Sequence, residues 1–309
     1  MPPQTSILLL GAGELGTAIL HSLTTHPAYS PTTTHLAILR RAATLASTDP
    51  TTEQSLASLS ARGITFEAGD FTSTPSPELI AIFKKYDVVI QAGGYGAPRG
   101  TLLRIAEAAV AAGVKRFFPW QFGVDYEAFA AAESGHGELF GEMLAVRELL
   151  RGQRGTGWTV VSTGLFMSFL FLQGFGVVDL EGRVVRGLGA WEDTVTVTDV
   201  EGIGRVVAEV VFEPEGTENR VVYAAGDTVS YGEVADVVEE VFGGEFKREL
   251  WDREYLRKRL EHEPGNVMLK YQNVFGAGFG VSWEMERTLN YQRGMRLTDL
   301  REYVEENKD

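Results

Sequence analysis

Two rhythms of apolar residues run along the first half of this chain. Short, mostly apolar runs fall at residues 6–10, 35–39, 64–67, 87–91 and 116–119. Between them, at 17–23, 53–61, 77–86 and 102–112, lie longer segments of helical character. Short runs bounded by turn residues predict buried strands, and the longer segments predict helices packed on them. Gly63 and Gly113 fall where two of the helices should stop. Strand and helix in alternation give βαβ units, and so a parallel sheet of the doubly wound α/β class.

The pattern changes near residue 120. Residues 120–137 are rich in Gly, Ala and aromatic residues with little periodicity, which predicts a loop holding a short helix at 126–133. A firm helix follows at 138–150, then a turn at 152–157 and a sixth strand at 158–162. The last third mixes short elements. Residues 166–171 are very apolar and are expected to line a cleft, while 184–186, 194–197 and 220–223 read as strands. Thr198-Asp199 supplies an N-cap for a helix at 200–212. Ser230, with Glu233 three residues on, forms a capping box for a helix reaching Phe242. Helices at about 252–262, 266–275 and 298–307 complete the chain. The expected organisation is a dinucleotide-binding domain over 1–163 and a smaller, mainly substrate-binding α+β lobe over 164–309, with some return to the first domain.

The first strand ends in Gly11-Ala12-Gly13-Glu14-Leu15-Gly16 and runs into a helix. Strand, glycine turn and helix start is the context in which G-x-G-x-x-G binds a dinucleotide. Gly11 makes the tight turn, Gly13 lets the backbone approach a pyrophosphate, and Gly16 lets the helix pack on the strand. The helix start adds free N–H groups and the positive end of its dipole. A βα turn that needs glycine only for packing would read the same. Arg40 and Arg41 end the second strand, the position that meets the adenosine ribose. A carboxylate there suits the 2′-hydroxyl of NAD, whereas Arg suits the 2′-phosphate of NADP. Two planar guanidinium forks and no acidic residue predict NADPH as cofactor. Asp70 and Phe71 after the third strand, and Gly93 and Gly94 after the fourth, also fall at strand carboxyl ends, where doubly wound sheets bind ligands. The two glycines would admit ribose or pyrophosphate, or simply serve a turn with positive φ.

Composition removes several classes of function. A formal net charge of −14 over 309 residues opposes a direct nucleic-acid role, which needs a basic face. There is no cysteine, so disulfides, thiolate catalysis and cysteine metal sites are excluded. His21, His26, His35, His136 and His262 show no metal-ligand spacing, and no metal is expected. No apolar stretch approaches the ~20 residues of a membrane span. The N-terminal apolar run is short and lacks a basic lead, unlike a signal peptide. A soluble, cytoplasmic protein without nucleic-acid or membrane partners is the expectation.

Several blocks, taken in order, resemble the isoflavone-reductase-like and NmrA-like group of atypical short-chain dehydrogenases. They are the glycine stretch 11–16, Arg40, the Ala68-Gly69-Asp70 turn, residues 114–125, residues 158–166, and the helix start at 199–204. Residues 119–125, Pro-Trp-Gln-Phe-Gly-Val-Asp, are similar to P-S-E-F-G-x-D, the most specific of these. In the glycine stretch, Leu10 and Ala12 stand where the group usually has Gly and Thr. The resemblance implies a Rossmann-like domain, a smaller substrate lobe, a cleft between them, NADPH, and hydride transfer to a small aromatic or conjugated molecule. It places the nicotinamide near Gly93, Gly94, Phe122 and residues 162–166.

In the similar reductases a Lys on the helix before the sixth strand, four residues before an Arg, serves as general acid or base. Here that Arg is Arg147, counted with the cofactor-binding residues, and the Lys position is Met143. Met cannot transfer a proton. Leu139, Met143, Val146 and Leu150 share one apolar face, so Met143 reads as core or pocket lining. No Lys occurs between Arg116 and Arg220, and no Tyr-x-x-x-Lys is present. Three outcomes follow. Another group donates the proton, with Tyr126 favoured over His136 and Glu142. Or water protonates the product, while positioning and hydride transfer do the rest. Or the chain binds NADP without catalysis and regulates a protein partner, as in NmrA-like regulators. Trp120, Met143, Phe166 and Phe169 are the expected walls of an apolar substrate pocket. An NADPH-dependent reductase of a small aromatic or conjugated substrate is the leading expectation, and a non-catalytic NADP sensor is its rival.

Overall fold

The apolar runs become the strands of one sheet in the computed structural model, which describes residues 5–94, 96–131 and 137–308. β1 is Thr5–Leu10, β2 Thr34–Arg40, β3 Thr65–Ala68, β4 Val88–Gln91, β5 Arg116–Phe118 and β6 Gly157–Ser162. With the strand Arg220–Tyr223 they form a seven-stranded sheet in the order Arg220–Tyr223, β6, β5, β4, β1, β2, β3. β1 pairs in parallel with both β2 and β4. Parallel pairing continues to β3 on one side and to β5 and β6 on the other. The chain therefore starts mid-sheet, builds outward to β3, and crosses back to β4. That reversal leaves a crevice at the carboxyl ends of β1 and β4, the ligand position of a Rossmann-like fold.

Burial explains why these runs are continuous rather than alternating. Residues 7–10, 36–39 and 88–90 are buried at every position, as strands covered on both faces must be. The first connecting helix, α1 (Glu14–Thr25), buries Leu15, Ile19 and Leu23 along one stripe. The helix Thr101–Ala112 stops at Gly113, whose φ of 68° is left-handed.

Two compact units divide the chain. One holds Met1–Gln121, Glu142–Val161 and Gly204–Val221; the other holds Phe122–Gly141, Ser162–Ile203 and Val222–Asp309. The second unit has two three-stranded sheets. In one, Thr194–Thr198 pairs antiparallel with Asp227–Ser230 and parallel with Leu165–Phe166. In the other, Val184–Gly189 pairs parallel with Lys247–Asp252 and antiparallel with Val178–Asp179.

Most local signals held. The Ser230–Glu233 capping box forms, and Asp199 Oδ1 accepts the Gly202 N–H at 3.1 Å. The last helix is Leu300–Glu306, opened by a second capping box from Asp299 and Glu302. Three segments gain detail beyond these signals. The apolar segment 166–171 is the end of a short strand followed by the helical turn Met167–Leu170. Lys247–Asp252 is a strand that its charged sequence did not announce; it lies at a sheet edge, where polar side chains face water. The short helix expected at 126–133 is Tyr126–Ala131, and the positions beyond it fall outside the described residues. Among the described residues no helix is long and apolar enough to cross a membrane.

Candidate functional site

The glycine turn after β1 combines two packing glycines with one open one. Gly11 has φ +98°, and a Cβ on it would lie 2.9 Å from the Gly93 backbone nitrogen. A Cβ on Gly16 would lie 2.2 Å from the Gly11 carbonyl oxygen. Both positions are therefore dictated by backbone contacts inside the protein. Gly13 differs: no atom comes within 4 Å of where its Cβ would be. It is exposed and forms the N-cap of α1, with no side chain capping the helix. An uncapped helix start beside open backbone leaves N–H groups free for an anion. Ala12 is half-buried, Glu14 exposed and Leu15 buried, so only part of the motif faces outward.

At the end of β2, Arg40 is half-buried, and its Nε has no hydrogen-bond partner among the described residues. Burial pushes its pKa down, the mark of a cation that lacks compensation. Arg41 is 76% exposed, with Nε 3.7 Å from Asp70 Oδ2. The strand itself offered no carboxylate, but the fold delivers one from the end of β3. Asp70 Oδ1 accepts from the Thr72 hydroxyl at 2.7 Å and its N–H at 2.8 Å. The Thr72 hydroxyl, its N–H, Arg41 and Arg104 together hold the Asp70 carboxyl below its usual range, against the opposing effect of burial. Arg104 donates to the carbonyls of Phe71 and Thr74, each at 2.6 Å, and so fixes the loop that carries Asp70 and Phe71.

Gly93 and Gly94, after β4, are covered by the protein's own aromatic rings. A Cβ on Gly93 would lie 2.7 Å from Phe71 Cζ, and one on Gly94 would lie 2.4 Å from Trp120 Cδ2. Gln91, whose Nε2 donates to the Gly93 carbonyl at 3.2 Å, steadies this segment. Tyr95 and His136 lie outside the described residues.

The helix Gly137–Arg151 contributes Glu142, Met143 and Arg147 to the first unit. Met143 is 9% exposed, which fits a packing side chain. Its carbonyl accepts from Gln121 Nε2 at 2.9 Å, and Gln121 Oε1 accepts from Arg147 Nε at 2.8 Å. Arg147 is 1% exposed. Glu142 accepts the N–H groups of Gly100, Leu102 and Leu103 at 3.0, 2.6 and 3.0 Å. It caps the start of the helix Thr101–Ala112, a structural role that occupies both carboxylate oxygens. Glu142→Ala is accordingly expected to lower unfolding stability by about 1–2 kcal/mol, read as the midpoint in a denaturant titration.

The second unit holds Phe122, Tyr126, Phe166 and Phe169. Phe122 is buried. Tyr126 is 4% exposed, its ring 4.8 Å from that of Phe140, and a Cβ on Gly123 would lie 2.5 Å from its hydroxyl. Phe166 and Phe169 are half-buried, and Phe169 meets Phe175 and Tyr271 edge-on at 5.8 and 6.2 Å. Asp125, at the end of the block 119–125, accepts the Tyr223 hydroxyl at 2.9 Å. Gln91, Arg104, Gln121 and Glu142 in its capping role were not found from the sequence. Arg104, Gln121 and Glu142 act through partners distant along the chain, and Gln91 through the Gly93 carbonyl two residues on; no local motif marks any of them.

A family model described as NmrA-like matches residues 3–304. The chain belongs to the NmrA-like family. That membership bears out the resemblance carried by the sequence blocks. The chain is 49% identical over 302 residues to an NmrA-like family domain-containing oxidoreductase of Gibberella moniliformis, covering 97% of each. It is 27% identical over 313 residues to a phenylcoumaran benzylic ether reductase of Pyrus communis, covering 97% of this chain and 96% of that one. Among solved structures, the binary complex of leucoanthocyanidin reductase with NADPH from Vitis vinifera matches with a TM-score of 0.78 at 19% identity. That match covers 97% of this NmrA-like chain and 98% of the other.

Proposed function

We propose that this NmrA-like protein is an NADPH-dependent reductase of a small aromatic or conjugated molecule. The observation that carries the proposal is the pairing of an uncapped helix start at open Gly13 with a half-buried Arg40 whose Nε lacks a partner among the described residues. The first suits a pyrophosphate and the second a ribose 2′-phosphate. NADPH would be held at residues 11–16, with Arg40 and Arg41 at its 2′-phosphate. The bound cofactor supplies the hydride. The oxidoreductase and reductase names of the relatives support the same chemistry.

The protein's own part is binding and orientation. Glu142 is engaged in helix capping and Met143 carries no proton. Burial of Tyr126 beneath Phe140 supports delivery of the proton by solvent. Loss of a working general acid costs roughly 10²–10⁴-fold in rate. Tyr126→Phe is instead expected to keep kcat within about threefold, and a loss on the scale of an acid would restore the hydroxyl as donor. The proposal as a whole is tested by titrating NADPH and NADH against the protein and then following NADPH consumption with conjugated aromatic ketones. Preferential NADPH binding with turnover is the expected result. NADPH binding without turnover across acceptors would favour an NADP-sensing regulator, the reading to which the proton-free Met143 points. Failure of NADPH to bind would overturn both.

A further inference from the structure

The carboxyl ends of β4 and β5 lie on the opposite side of β1 from Arg40. With a pyrophosphate at the start of α1 and the adenosine toward β2, the redox ring of a bound dinucleotide falls toward β4 and β5. There the Trp120 indole rests on the Gly94 backbone, with Cδ2, Cγ and Cε3 at 2.4, 2.5 and 2.7 Å from where a Cβ would be. No residue with a side chain at position 94 leaves room for this ring. The next residue, Gln121, is fully buried and held on two sides, by the Met143 carbonyl and by Arg147. Trp120 therefore hangs from a fixed backbone and is backed by another, yet it keeps part of its surface open to solvent.

We infer that Trp120 is the specificity-determining wall beside the redox ring, limiting the bulk that a flat conjugated acceptor can carry. The inference rests on the reductase reading. Its physical basis is that an indole presents roughly 150–250 Å² of rigid surface and favours offset stacking with another flat ring. A ring backed by backbone cannot retreat by a small rotamer change, so a larger acceptor meets overlap rather than an adaptable wall.

The test uses two enones that differ by one phenyl ring, benzylideneacetone and chalcone. Each is titrated calorimetrically into protein saturated with NADP⁺. Wild type is expected to bind the one-ring enone about tenfold or more tighter than chalcone. Trp120→Ala should tighten chalcone by about tenfold and erase the preference, with Trp120→Phe in between. The Phe variant also guards against a folding defect in the Ala variant. Equal binding of the two enones by wild type overturns the inference, as does an unchanged ratio in both variants. So does failure of both enones to bind any of the three proteins, because a wall with no pocket beside it excludes nothing. NADP⁺ is titrated alone first. Its failure to bind wild type would mark the reductase reading, rather than the role of Trp120, as the one at fault.

Discussion

Arg40→Ala is expected to weaken NADPH binding by about 10–100-fold while changing NADH binding by less than about threefold. A hydrogen bond to a charged group contributes roughly 1.5–3 kcal/mol, and each 1.4 kcal/mol is about a factor of ten. Arg40 is where that contribution would concentrate, because its Nε is buried without a partner among the described residues and burial already disfavours its charge. A 2′-phosphate would relieve both costs at once. Arg41 should matter less. It is 76% exposed, where charge interactions are screened, and Asp70 already neighbours it at 3.7 Å. The measurement is a fluorescence titration of each nucleotide against wild type and both variants at one salt concentration. Equal losses for NADPH and NADH in Arg40→Ala would sink the 2′-phosphate assignment.

The two ends of the glycine motif should fail in different ways. A Cβ on Gly16 meets the Gly11 carbonyl oxygen at 2.2 Å, and that neighbour is backbone, which cannot rotate away. Gly16→Ala is expected to cost about 1–3 kcal/mol of stability or more, as overpacking does. It should also reduce NADPH affinity, because relief of the clash must move the turn that presents the N–H groups. Gly13→Ala meets nothing within 4 Å, and Gly13 already has φ −77°, which any residue adopts. Its stability should stay within about 0.5 kcal/mol of wild type. Yet the new methyl occupies the surface on which a pyrophosphate would rest, so NADPH affinity should fall by about tenfold or more. Denaturant unfolding and nucleotide titration of the two variants separate the cases. If Gly13→Ala keeps both its stability and its NADPH affinity, the pyrophosphate does not lie there.

That contrast shows where the sequence was legible and where it was not. G-x-G-x-x-G gave each glycine its own role: Gly11 the tight turn, Gly13 the approach of a pyrophosphate, Gly16 close helix packing. The packing adds what enforces those roles: Gly11 and Gly16 are required by neighbouring backbone, and Gly13 is open to solvent. Gly93 and Gly94 show the limit. Read along the chain they offered backbone to a ligand, and in the fold their surfaces carry Phe71 and Trp120. The strand Lys247–Asp252 escaped notice because most of its residues are charged, and its pairing with Val184–Gly189 is a property of two distant segments.

The sequence by itself determined the alternation of strands and helices in the first half, the glycine turn, the arginines at the end of β2 and the Ser230–Glu233 capping box. These depend on residues a few positions apart, whose periodicity, backbone freedom and capping chemistry are set locally. The tertiary structure decided that Asp70 stands beside Arg41, that Glu142 caps a helix forty residues earlier, and that Gln121 ties Arg147 to the Met143 carbonyl. Each of these joins groups far apart along the chain. A side chain's identity states what it can bond to; which partner it meets is settled only when the sheet and its helices close around it.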